Sequence, residues 1–116
     1  CLVQVSYAIG QAEPMAVYIN TYGTSKINLS DMEISKKVSE IFDLRPFFIE
    51  KRLKLRTPIY FETSCYGHMG RKPKKLKKSF ISSSGEIKEI EVELFTWEKL
   101  DYVDIIKKKL KLNNGK

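Results

Sequence analysis

Two runs near the start of the chain alternate residue by residue, and this period of two limits the fold more than any other feature. In Leu2–Ile9, Val3, Val5, Tyr7 and Ile9 alternate with Leu2, Gln4, Ser6 and Ala8. In Met15–Tyr22, Val17, Ile19 and Thr21 alternate with Ala16, Tyr18, Asn20 and Tyr22. Alternation rich in β-branched and aromatic residues predicts two paired strands. Gly10-Gln11-Ala12-Glu13-Pro14 separates them, and Pro14, with no N–H to donate, belongs in the connection or at a strand's first residue. Both faces carry apolar groups. One is expected to lie on helices and the other to be at least partly covered, for instance by a partner.

Helical signals follow. Ser30-Asp31-Met32-Glu33 has the form of a capping box, in which Ser30 and Glu33 satisfy each other's backbone N–H groups. Ile34, Val38, Ile41 and Phe42 recur at helical spacing beyond it, predicting a helix over Asp31–Phe42. Pro46 suits the first turn of a second helix through Phe47, Phe48, Ile49 and Leu53, whose apolar start is expected to be buried. Asp101–Asp104 gives an acidic first turn to a last helix. Tyr102, Val103, Ile105, Ile106 and Leu110 form its apolar side, and its lysines stand near the C-terminus, where the helix dipole favours them.

Between these helices, Ile59–Arg71 holds Gly67 and Gly70 and is expected to be a tight loop anchored by Tyr60, Phe61 and Tyr66. Farther on, Ile90, Val92 and Leu94 alternate with Glu89, Glu91 and Glu93, a half-buried strand. Ser82-Ser83-Ser84-Gly85 is its turn, so Lys77–Ser82 is the other arm of a hairpin. The order strand–strand–helix–helix–hairpin–helix predicts an α+β fold, a two-layer sheet with helices on one face.

Charge and chemistry narrow the function. The 116 residues carry a net charge of +7, concentrated in Lys72–Lys78 and Lys107–Lys116. A basic binding module for nucleic acid or an acidic partner is the alternative this raises. Against it, the lysine runs lack the interleaved aromatics of a base-stacking platform. Acidic and basic arms of one hairpin account for the first run, and the helix dipole for the second. No apolar run approaches the ~20 residues of a membrane span, so neither nucleic acid nor membrane is an expected partner. Two cysteines, Cys1 and Cys65, suit a reduced, cytoplasmic setting. Cys65 and His68 are two ligands where a structural zinc needs four, so His68 is expected to be satisfied by hydrogen bonds and no metal site is assigned. Glu13, in its turn, is expected to form a cap or a surface ion pair. There is no phosphate-cradling glycine loop and no serine with a histidine partner. A self-sufficient active site is not expected.

Six motifs, taken together, resemble one family. They are VQVSYAIG-x-AEP (Val3–Pro14), TYGTSK (Thr21–Lys26), FDLRP (Phe42–Pro46), LRTPIY (Leu55–Tyr60), YGHMGR (Tyr66–Arg71) and WEKLD (Trp97–Asp101). In this order they resemble the last third of the S-adenosylmethionine synthases, in the form found in the Bacteroidetes group. Two positions depart from the pattern: Gln11 replaces a usually apolar residue, and Ser64-Cys65 a common alanine pair.

The resemblance implies a fold of three intertwined β-α-β-β-α-β domains, assembled as a homodimer or homotetramer with active sites between subunits. It implies transfer of the adenosyl group of ATP to L-methionine, with Mg2+ and K+ as cofactors and release of phosphate and diphosphate. The family's catalytic and metal-binding residues lie upstream, so no catalytic residue and no metal ligand is carried onto this chain. One contact is carried over: the isoleucine of SYAIG lies beside adenine in the family, and it matches Ile9. An ordinary strand residue in the core is the competing reading of Ile9. A chain that starts at Cys1 and enters a strand at once is expected to be a piece of a longer polypeptide, contributing sheet, interface and adenine-side packing. Residues 72–96 are then a surface hairpin inserted into the family pattern. An isolated piece of this kind is expected to self-associate through its unneighboured first strand.

Overall fold

The alternating runs form an antiparallel pair, β1 (Leu2–Ser6) and β2 (Ala16–Asn20), in register from Leu2 opposite Asn20 to Ser6 opposite Ala16. Each is shorter than its alternation. The Met15 N–H donates to the Ser6 carbonyl at 2.8 Å, and the Gln11 N–H to that of Ala8 at 3.2 Å, so the chain turns out of the ladder at Tyr7. Gly10, at φ 84°, takes the left-handed conformation this turn requires. At the other end Asn20 Oδ1 accepts from the Tyr22 N–H at 2.8 Å and stops β2. The computed structural model describes residues 1–112. It comprises two compact units, residues 1–49 with 101–112, and residues 50–100.

In the first unit, α1 (Asp31–Ile41) starts at the expected capping box. Ser30 Oγ accepts from the Glu33 N–H at 3.3 Å, and Glu33 Oε2 accepts from the Ser30 N–H at 2.8 Å. α1 packs on β2, and Ile19 and Ile34 are the buried aliphatics of this layer. Phe42 is the C-cap, its N–H bonded to the Val38 carbonyl. Phe42 also stacks on Tyr102 with ring centroids 4.5 Å apart, at the start of the last helix. That helix packs on α1 as well.

In the second unit, β3 (Lys74–Ile81) and β4 (Ile87–Leu94) form a hairpin with longer arms than the sequence suggests, in register from Lys74 opposite Leu94 to Ile81 opposite Ile87. Its turn is closed by Ser82 N–H to the Glu86 carbonyl and Gly85 N–H to that of Ser82, both at 2.9 Å. The buried cluster is Ile59, Val92, Leu94 and Phe95, with Leu76, Ile90 and Trp97 packed against it. After β4 comes a 3-10 turn over Thr96–Glu98. Thr96 is buried, and its hydroxyl donates to the Leu53 carbonyl at 2.7 Å. Four strands in two ladders with four helices make the α+β class expected.

Three expectations need correction. The start of α2 (Pro46–Leu53) is not buried: Phe47 is 60% exposed, and Phe48 lies edge-on to it beneath the Arg45 guanidinium, 4.0 Å from the ring centroid. A cation over the ring face covers part of an aromatic side chain that no apolar element covers. Second, Tyr60, Phe61 and Tyr66 do not anchor the 59–71 stretch; all three are exposed, and the anchor is Ile59, at 0% exposure. A short helix, α3 (Tyr60–Thr63), explains this. Positions 59, 62 and 63 share its inner face by helical spacing, and Glu62 on that face pairs with Lys78 of β3 at 2.7 Å. Third, Ile105 of α4 (Val103–Lys109) is exposed, because Val103, Ile106 and Leu110 already complete the i, i+3, i+7 stripe.

Both α2 and α4 end in the same way. The Leu55 N–H returns to the Glu50 carbonyl at 3.0 Å and the Lys54 N–H to that of Lys51 at 3.3 Å. The Leu112 N–H returns to the Lys107 carbonyl at 2.9 Å and the Lys111 N–H to that of Lys108 at 3.3 Å. These are Schellman closures, whose left-handed residue is ordinarily glycine. Here it is a lysine each time, Lys54 at φ 54° and Lys111 at φ 52°.

Truncating the anchor is expected to matter far more than truncating a surface aromatic. Ile59→Ala should cost about 2–5 kcal/mol in urea unfolding, and Phe61→Ala within about 0.5 kcal/mol. Acid stability follows from α1. The Thr21 hydroxyl and backbone N–H hold the Asp31 carboxyl below its usual range, and the Ser30 N–H and hydroxyl do the same for Glu33. Carboxylates depressed by folding stabilise above the unfolded-state values of about 4 and lose that contribution as pH falls through the lower folded values. Thermal stability should therefore fall below about pH 4, and Asp31→Asn should flatten that acid limb.

Candidate functional site

The loop between β1 and β2, residues 7–15, carries the one residue to which the sequence assigns a ligand. Ile9 lies beyond the last rung of β1 and is fully exposed. It is therefore not a core strand residue. A fully exposed isoleucine leaves its whole side chain available to a flat apolar surface, and it can supply dispersion contact and water exclusion but no proton or electron chemistry.

Two ties hold this loop against residues 43–45. The Tyr7 hydroxyl, just before Ile9, donates to the Leu44 carbonyl. Glu13 pairs with Arg45 Nε at 3.6 Å. Arg45 in turn grips Asp43 through both oxygens, with Nε donating to Oδ1 at 2.9 Å and Nη2 bonded to Oδ2. Glu13 therefore forms the surface ion pair its turn position suggested. A cleft of about 680 Å³ lies along these segments, lined by residues 13–17 and 39–45. Tyr7, Asp43 and Arg45 are absent from the candidates read from sequence. The motifs that contain them were the available signal, but nothing in their spacing joins a hydroxyl at position 7 to a carbonyl at position 44.

The remaining candidates lie elsewhere. His68 is hydrogen-bonded, its Nδ1 against Glu98 Oε1. Arg71 of the same motif donates to the Cys65 carbonyl at 3.0 Å, and its guanidinium lies over the Phe95 ring at 5.2 Å. Cys1 and Cys65 are both free and exposed thiols. Among the described residues no three His, Cys, Asp or Glu side chains come together to hold a metal ion. No helix among them is long and apolar enough to cross a membrane.

Two of the five lysines in the first run, Lys75 and Lys78, form ion pairs. Lys75 meets Glu91 at 2.9 Å and Lys78 meets Glu62 at 2.7 Å, while Lys54 and Lys99 both bind Glu93, at 3.3 and 2.7 Å. Lys99 foremost, then Lys54, lowers the Glu93 carboxyl below its usual range. Pairs such as Lys75–Glu91 and Lys78–Glu62 neutralise part of the positive charge the hairpin would present to a polyanion.

Comparison with known proteins agrees with the motifs. Residues 1–80 match the model of the S-adenosylmethionine synthetase C-terminal domain. An S-adenosylmethionine synthase of Flavobacterium johnsoniae is 66% identical over 106 residues, covering 91% of this chain and 26% of the relative. Those of Cytophaga hutchinsonii and Phocaeicola vulgatus are 63% identical over 107 residues and 66% over 106, covering 92% and 91% of this chain and 26% and 25% of theirs. The chain thus spans about a quarter of the length of the curated relatives it matches. With two thirds of its residues inside the domain model and such identity along nearly its whole length, the chain belongs to the S-adenosylmethionine synthetase C-terminal domain family.

Proposed function

We propose that this chain is the C-terminal portion of an S-adenosylmethionine synthase, acting in the cytoplasm to form S-adenosylmethionine from ATP and L-methionine with release of phosphate and diphosphate. The observation that carries the reading is the 66% identity to a named synthase over 106 residues. In this reading the segment supplies sheet, subunit interface and packing against the adenine of ATP, and the reaction itself is performed by residues outside it. Ile9 is the adenine-side contact. Its full exposure supports this, as do the ties from Tyr7 and Glu13 that fix its loop. A preset apolar contact orients a bound base without reorganisation at each turnover. Leu2, Val3 and Tyr18 leave apolar surface open on the β1–β2 pair, which suits a homodimer or homotetramer closing over it.

Mg2+ and K+ serve the full enzyme. Their ligands are read as lying in the upstream part, so no chemical step through them is assigned to this segment. Residues 72–96 are a hairpin inserted into the family pattern; the domain model ends at residue 80, inside β3. Its base is anchored by Val92 and Leu94 in the buried cluster, and its tip, with Ile81 and Ile87 exposed, is the elaborated part.

Incubated alone with ATP, methionine, Mg2+ and K+, the chain should make no S-adenosylmethionine detectable by mass, and joining it to the upstream part of a synthase should restore product. Turnover by the isolated chain, freed of contaminating full-length enzyme, would sink the assignment. In the joined enzyme Ile9→Ala should raise the KM for ATP by about 10-fold and leave kcat nearly unchanged, as expected for a contact made equally in ground and transition states. An unchanged KM would remove Ile9 from the adenine site.

A further inference from the structure

A second cavity, of about 780 Å³, lies in the first unit, away from the Ile9 loop. Three separate pieces of chain build it: residues 26–29, the middle of α1 at Lys37, and residues 109–112 at the end of α4. Each piece brings lysine. Lys26, Lys37, Lys109 and Lys111 all line it, and no carboxylate among the described residues does. Lys26, Lys109 and Lys111 form no ion pair among the described residues, and Glu33, one turn away on α1, feels the charge of Lys37. The helix dipole accounts for lysines at the end of α4. It does not account for Lys26 or Lys37, which come to the same cavity from other elements.

The rest of the lining is aliphatic, from Ile27, Leu29, Leu110 and Leu112, with the amide of Asn28. No aromatic ring lines it, so a nucleobase would find no stacking partner. The backbone at one wall is also held in an uncommon state. Lys111 occupies the left-handed position that closes α4, at φ 52°, and the closure brings Leu112 back over the last turn. A lysine there carries strain that glycine would avoid.

We infer that this cavity binds a small anionic amphiphile, a carboxylate or phosphate carried on an aliphatic chain. The volume is that of a small-molecule site. The aliphatic lining matches the chain, and three lysines without an ion pair, with Lys37 beside them, match the anionic head. Charge of one sign around a low-dielectric wall raises the local concentration of the opposite sign. The inference does not rest on the synthase reading, since it concerns binding to residues far from Ile9 in sequence and read without turnover.

The test is a titration of the 116-residue chain, followed by amide NMR, with decanoate, decyl phosphate, acetate and decanol, each below its micelle concentration. Decanoate or decyl phosphate should bind saturably, with shifts centred on residues 26–29 and 109–112, and whichever binds tighter identifies the head group. Acetate and decanol should each bind about 10-fold more weakly or not at all, since each lacks half of the match. Raising salt should weaken binding, and Lys37→Glu should weaken it about 10-fold or more. Lys111→Gly removes an ammonium group and fits the left-handed backbone, so it should bind more weakly while its Tm stays the same or rises. Equal binding of decanol and decanoate, indifference to Lys37→Glu and Lys111→Gly, or shifts centred on the exposed β1–β2 face would overturn the inference. So would co-sedimentation with anionic phosphatidylglycerol vesicles combined with no binding of monomeric decanoate, which would make this a membrane-facing surface instead.

Discussion

One carboxylate sets the geometry of the first unit. Asp31 opens α1, and its two oxygens accept from Thr21, Oδ1 from the hydroxyl at 2.7 Å and Oδ2 from the backbone N–H at 3.1 Å. Thr21 is the residue just past β2. The bond therefore fixes where the strand stops relative to where the helix begins, across a ten-residue connection that has no regular structure of its own. Only with that distance set can Ile34 reach the layer on β2. The same carboxylate stands in the first turn of the helix, where the exposed N–H groups favour negative charge. Strand end, helix start and dipole are satisfied by one side chain.

What was legible in the sequence is what local physics decides. Alternation gave the β1–β2 pair and β4, and the Ser30–Glu33 reciprocity gave the start of α1 to the residue. Pro46 placed the start of α2. What failed was tertiary. Phe47 and Phe61 read as buried because aromatics usually are; whether an apolar side chain finds cover depends on a neighbouring element that local pattern does not name. Ile59 was unremarked beside three aromatics, yet it is the N-cap of α3 and packs fully buried in the hairpin's cluster. The length of β3 was underestimated because its lysines looked like a solvated run. Their partners lie on other elements, Glu91 of β4 for Lys75 and Glu62 of α3 for Lys78, and such pairing is invisible to a local window.

The site divides in the same way. Ile9 was singled out by motif resemblance, and its exposure is a property no composition could give. Its support is a three-part arrangement: a tyrosine hydroxyl, a glutamate and a doubly engaged arginine, all outside the ladder. The loop thus gains rigidity from side chains, since its backbone makes few internal hydrogen bonds. A hydrophobic contact offered to a ligand is useful only if it stays where it is while the ligand comes and goes. Arg45 contributes to both ends of that requirement, holding Glu13 on one side and capping the Phe48 ring on the other.

Phe95 is buried at 2% exposure while its backbone sits at φ 54°, between the end of β4 and the 3-10 turn. The two demands pull toward different residues. Valine or isoleucine would supply bulk but resist the left-handed backbone; glycine or asparagine would accept the backbone and leave a hole in the cluster. Few of the twenty side chains meet both conditions, and none of the single-nucleotide neighbours of phenylalanine that are smaller or branched does so without loss. Position 95 is therefore a mutational bottleneck: the hairpin's surface can drift widely in sequence, while the corner from which it springs can hardly change at all.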